Sequence, residues 1–147
     1  MIIISPYSRR LANGAKSPKD YPYWQKVING LSDHRIIQIG TMGEEILNAH
    51  EHRFNLSFDE LRDLLLNCQA WASVDNFFHH FAMLHRKPGI VIFGPSDPEI
   101  FGNKLNKNLL LDRKYLRGNQ YDKWDGAQYI SDWVDPNIVI SEIKSTI

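Results

Sequence analysis

Cysteine is nearly absent. Cys68 stands alone in 147 residues, so no internal disulfide can form, and a reducing, cytoplasmic setting is the expected one. Excess charge is absent too. Lys plus Arg and Asp plus Glu both number 17, so no overall field draws the chain to nucleic acid or anionic lipid. No apolar run reaches the length of a membrane span, and the apolar start Met1-Ile2-Ile3-Ile4 meets Pro6, Arg9 and Arg10 too soon to be a signal-peptide core. It reads as a buried strand. Two catalytic signatures are also missing: there is no G-x-S-x-G nucleophile elbow and no H-E-x-x-H zinc motif.

What is present is an alternation of strand and helix patterns. Ile2–Ile4 forms a first strand, and Ser5–Asp20, polar and broken by Gly and Pro, forms a loop long enough to be functional. Tyr21–Leu31 predicts a helix, with Asp20 or Tyr21 near the cap, Pro22 in the first turn, and Trp24, Val27, Ile28 and Leu31 on one face. Arg35–Ile39 predicts a second strand, closed by Gly40-Thr41-Met42-Gly43. Ser57-Phe58-Asp59-Glu60 has the form of a capping box opening a helix with Leu61, Leu64 and Leu65 on its apolar stripe. Trp71–Val74 and Ile90–Phe93 predict two more strands, with a helix over Phe77–His85 between them. Asn108–Leu111 predicts an edge strand, and Asp135-Pro136 an N-cap and first helical position. Strands apolar on both faces, alternating with helices, predict one Rossmann-like α/β domain whose mostly parallel sheet is covered on both sides. Residues 112–132, rich in aromatic and charged side chains, fit no element.

In such a fold ligands settle at the carboxyl ends of the strands. Four loops qualify: the one after Ile4, Gly40–Glu44, Asp75–Phe78 and Gly94–Pro98. The loop at Asp75 opens a helix, whose first amides can hold a diphosphate. Lys19 can neutralise phosphate charge, Ser5 or Ser8 can donate hydroxyl hydrogen bonds, and Glu44 can accept from ribose hydroxyls. His79, His80 and His85 raise the question of a metal. Adjacent histidines are expected on different faces of a helix, His80 and His85 are five apart, and thiolate partners are lacking, so no metal site is expected.

Several of these segments also resemble a known family. Asp75, His80 and Ala82, then Lys87-Pro88 and Phe93-Gly94-Pro95-Ser96-Asp97-Pro98, match the D-S/T-G-x-x-H-x-A, G-K-P and F-G-P-T-D-P motifs of glycosyltransferase family 9, the ADP-heptose:lipopolysaccharide heptosyltransferases. Lys19-Asp20-Tyr21-Pro22 with Trp24 resembles the family's K-x-W-P segment, and Gly40–Glu44 its Gly-rich turn. The match covers roughly residues 2–98, in the C-terminal, donor-binding half of that family.

The resemblance implies the C-terminal lobe of a two-lobed GT-B transferase that binds a nucleoside-diphosphate sugar and needs no other cofactor. It implies diphosphate contact by Lys19, a ribose contact by Glu44 beside Gly40, and Asp75 and His80 at the reacting end. Asp75 either serves as base, as His80 can, or orients the donor sugar. The chain departs from the pattern at Asn76-Phe77-Phe78, where small residues are usual. Asn76 can replace the usual hydroxyl donor; Phe77 and Phe78 either stack on a base or sugar or belong to the core. Gly94 is expected among the substrate-binding residues. The acceptor lobe is expected from a separate chain or a second copy of this one. The alternatives are a binding module without catalysis, and an interaction protein using Tyr115–Trp133 as its surface.

Overall fold

The alternating isoleucines at the start dictate the architecture. In a strand, successive side chains point to opposite faces, so Ile2 and Ile4 face one layer and Ile3 the other; all three are fully buried. The computed structural model, described over residues 1–124 and 131–147, places this segment, β1 (Ile2–Ser5), at the centre of a sheet. Its neighbours are β2 (Ile36–Gly40) and β4 (Ala70–Val74), with Ile3 opposite Ile37 on one side and Trp71 on the other. With β3 (Glu51–Phe54), β5 (Ile90–Ile92) and β6 (Lys107–Leu109), the six described strands are all parallel, in the order β3-β2-β1-β4-β5-β6. The order reverses between β1 and β4, so their carboxyl ends diverge and leave a crevice.

Each face has its own core. Ile2, Ile4, Ile36 and Val74 pack under α1 (Trp24–Gly30) and α5 (Pro136–Thr146), through Trp24, Val27, Val139 and Ile143. Ile3, Ile37, Trp71 and Val91 pack under α2 (Phe58–Asn67) and α3 (Phe77–Leu84), through Leu61, Leu65, Phe78 and Phe81. The caps read from the sequence are in place at two helices. The Ser57 hydroxyl accepts from the Glu60 amide at 3.2 Å, and the Asp135 carboxylate from the Asn137 amide at 2.7 Å. Cys68 is buried. No described helix is long and apolar enough to cross a membrane.

The first helix and the edge strand β3 differ from expectation. The first helix starts at Trp24, with Tyr23 at its N-cap and no side-chain cap. Asp20 and Tyr21 are occupied elsewhere: the Asp20 carboxylate accepts from the Ser8 amide at 2.8 Å, and the buried Tyr21 hydroxyl donates to the Val134 carbonyl. The edge strand β3 has no apolar alternation and was not foreseen. Ion pairs of Glu51 with Arg35 and Arg53 dress it, and such charges protect an open edge from pairing with other chains. The crossover into it, residues 41–50, has no helix. Gln38, fully buried on β2, holds it by donating to the Glu45 carbonyl and accepting from the Leu47 amide, both at 2.8 Å.

A short helix, α4 (Pro98–Phe101), follows the β5 loop. A Cβ placed on Gly94 in that loop would come 2.4 Å from the Trp133 ring. Gly94→Ala is therefore expected to lower stability by about 1–3 kcal/mol, the usual cost of overpacking, measured by urea denaturation; an unchanged midpoint would show that Trp133 swings away freely.

Candidate functional site

The crevice at the switch point opens into a cleft of about 940 Å³. Ser5, Ser8, Lys19, Gly40 and Glu44 line it from the loops after β1 and β2. Asp75, Asn76, Phe77 and His80 line it from the β4–α3 corner. Nine of the ten residues singled out in the sequence thus converge. Gly94 is the exception: it is not a lining residue but packs under Trp133, and its loop reaches the cleft through Ser96 instead.

Asn76 has a different task from the one expected. Its side-chain amide donates to the Ser5 carbonyl (3.2 Å), the Ser5 hydroxyl (3.0 Å) and the Tyr7 carbonyl (3.0 Å). Its carbonyl caps α3 by accepting from the Phe78 amide at 2.9 Å. The side chain is committed to tying the β1 loop to α3, so it does not serve as a free donor to a ligand. The other first-turn amides of α3 still lack intrahelical acceptors.

Asp75 is engaged through both carboxylate oxygens. It is buried, with one oxygen 3.0 Å from His79 Nε2 and the other 3.4 Å from Lys19 Nζ. Burial alone would raise its pKa, but the His79 hydrogen bond, the Lys19 charge and the Ser96 hydroxyl together hold it below the usual carboxylate value. His79, named in the sequence only in the question of a metal, is fully buried. Its position four after Asp75, one helical turn on, is the signal that placed its ring on that carboxylate.

The expectation that neighbouring histidines diverge does not hold here. The His79 and His80 ring centroids lie 3.8 Å apart, and His80 lines the cleft. Burial lowers the His80 pKa, and the adjacent His79 lowers it further. His80 is therefore neutral at pH 7, able to accept a proton or bind through nitrogen.

The two phenylalanines part company. Phe78 is buried against Trp71, ring centroids 5.3 Å apart, whereas Phe77 is 57% exposed in the cleft wall, 5.9 Å from the exposed Phe58 ring. Across the cleft, the Glu44 side chain folds over Gly40, where a Cβ would lie 1.9 Å from Oε2. Its Oε1 accepts from the Thr41 hydroxyl at 3.0 Å, while Oε2 is buried with no partner among the described residues. Burial raises its pKa, opposed by the Thr41 hydrogen bonds and by Arg10.

Part of the unplaced aromatic segment also reaches the site. Arg113 makes a two-pronged ion pair with Asp97 (3.0 and 2.8 Å), and Gln120 accepts from the Asp97 amide and donates to the Pro95 carbonyl. These bonds strap residues 112–124 across the end of β5. Arg117 stacks 3.6 Å over the Trp124 ring, which lines the cleft 6.0 Å from Lys19 Nζ. Residues 125–130, in the middle of the expected interaction surface Tyr115–Trp133, lie outside the described residues.

No family model and no curated protein matches the chain. Among solved structures, the crystal structure of the glycosyl transferase family 9 protein from Veillonella parvula has the same fold, with a TM-score of 0.65 over 99% of this chain at 14% sequence identity. The chain spans 45% of that protein's length.

Asp20, beneath the β1 loop, supplies a test of the site's electrostatics. Burial pushes its pKa up to about 6, outweighing the Ser8 amide bond. The folded protein therefore holds a proton that the unfolded chain, with a carboxyl near 4, has already released between about pH 4 and 6. Stability from this residue is full below that window and falls as pH rises through it. Asp20→Asn is expected to melt progressively higher than the wild type as pH goes from 4 to 7; a constant offset between the two melting curves would contradict the burial.

Proposed function

We propose that the cleft binds the nucleoside-diphosphate part of a sugar donor, and that the chain acts as the donor side of a glycosyltransferase. The observation that carries the proposal is the pair of charges lining the switch-point cleft. Lys19 makes a long contact to Asp75 and lies 6.0 Å from the Trp124 ring, and Glu44 has one buried carboxylate oxygen without a partner among the described residues. A donor of this class has complementary groups: a diphosphate for Lys19 and the first amides of α3, and vicinal ribose hydroxyls for Glu44. The fold shared with a family 9 glycosyl transferase agrees with this. The donor is the only small molecule the proposal requires.

In transfer, the bond from the anomeric carbon to the diphosphate oxygen breaks while an acceptor hydroxyl attacks that carbon. The negative charge growing on the leaving diphosphate falls beside Lys19 and the helix amides, fixed dipoles that need not reorganise. His80, neutral and partly open to the cleft, is the group suited to take the acceptor proton. Asp75, held ionised by its partners, orients Lys19 and His79 instead. The acceptor side comes from another lobe, a partner chain or a second copy.

A second reading, binding without transfer, is favoured by Phe77. Its ring stands in the cleft wall at the start of α3, where a small residue would let a diphosphate come closest to the backbone.

Calorimetry against a panel of nucleoside diphosphates, in the presence of a chelator, tests the proposal. Saturable binding is expected, weakened about tenfold or more in Lys19→Ala through loss of a charge-assisted contact. No binding at millimolar ligand, or identical curves for wild type and variant, sinks it. Binding with neither hydrolysis nor transfer of the matching nucleotide sugar, across candidate acceptors, selects the second reading.

A further inference from the structure

We propose that Asp75, His79 and His80 form a binding site for one divalent transition-metal ion at the floor of the cleft. Each residue offers one ligand atom, and the three atoms lie within 4.8 Å of one another. Ligand atoms bound to a common ion at about 2.0–2.2 Å sit roughly 3–3.5 Å apart. The 3.0 Å between Asp75 Oδ1 and His79 Nε2 already meets that spacing. Only His80 has to close in, and it is the exposed member of the three, free to turn about its side-chain torsions.

A second observation concerns His79 itself. The ring is completely buried, yet its Nδ1 has no hydrogen-bond partner among the described residues. Nε2, not Nδ1, is the nitrogen turned to Asp75, so an ion would bind at Nε2 and the ring proton would reside on Nδ1. Two imidazoles and one carboxylate suit Zn²⁺, Co²⁺ or Fe²⁺ rather than Mg²⁺ or Ca²⁺, which prefer oxygen, and three protein ligands leave coordination positions open. Because His80 and Asp75 line the cleft, those positions face it.

The site has a built-in opponent. Lys19 Nζ lies 3.4 Å from the other Asp75 oxygen, and its charge works against a cation on Oδ1. That repulsion gives the site a signature that histidines scattered on the surface would not share. The ion site goes beyond the donor-binding proposal and stands without it, and with the ion bound His80 serves as ligand instead of base.

The test uses Zn²⁺ and Co²⁺ alone, with no nucleotide, by calorimetry and by the visible absorption of bound Co²⁺. Wild type is expected to take up one equivalent with micromolar or tighter affinity. His80→Ala, a change at an exposed position that circular dichroism can show to be folded, should weaken binding about tenfold or more. Lys19→Met should tighten it several-fold. Three results would overturn the site: no saturable binding by wild type, one equivalent bound equally well by His80→Ala, as would happen at His50 or His52, or an affinity that Lys19→Met leaves unchanged or lowers. Failure of the nucleotide titration in chelator would leave this result standing, so the two proposals fall separately.

Discussion

Everything in the cleft depends on the side chain of Asn76. One amide group reaches back to the Ser5 and Tyr7 carbonyls at the end of β1 and forward to the Phe78 amide at the start of α3. It thereby closes the place where the strand order reverses, which in a doubly wound sheet is otherwise a gap between diverging loops. The loop after β1 carries Ser8 and Lys19, and α3 carries His79 and His80. Without that clasp these groups would have no fixed separation. Buried backbone carbonyls left unpaired would add to the cost of losing it.

Asp75, the residue before the clasp, shows how the site manages charge. It lies in the protein interior and meets both a lysine and a histidine, so the penalty of burying a carboxylate is offset on two sides. The same arrangement divides labour between the two histidines. His79 is spent on Asp75, and His80 is left neutral and facing the cleft. Adjacent residues of one helix thus have opposite roles because one sits over the strand end and the other over the opening.

The central strands were legible from sequence because they are buried on both faces and mostly apolar, with Gln38 and Ser73 as isolated polar positions. β3 was not legible for the converse reason: Glu51, His52 and Arg53 satisfy an edge by charge pairs that hydrophobic periodicity does not register. At the site, loop position after each strand was enough to bring Ser5, Ser8, Lys19, Gly40, Glu44, Asp75, Asn76, Phe77 and His80 to one cleft. The roles within it were less legible. Asn76 and Gly94 proved to serve packing and tying, since the partners concerned, the Tyr7 carbonyl and the Trp133 ring, are distant in sequence. Trp124 escaped notice because the segment that carries it has no regular structure and is held by side chains on Arg113, Arg117 and Gln120.

That strap has a consequence for how the protein can vary. The floor of the cleft is built from strand ends and a helix start, where a change in one residue disturbs the packing of both layers. The rim contributed by residues 112–124 is fastened instead to a single loop, chiefly through Asp97 and the Pro95 carbonyl. Side chains between those fastenings can be exchanged while the sheet beneath stays unaltered. Selectivity for whatever enters the cleft can therefore drift at a low cost in folding, much as a lock can be rekeyed without replacing the door.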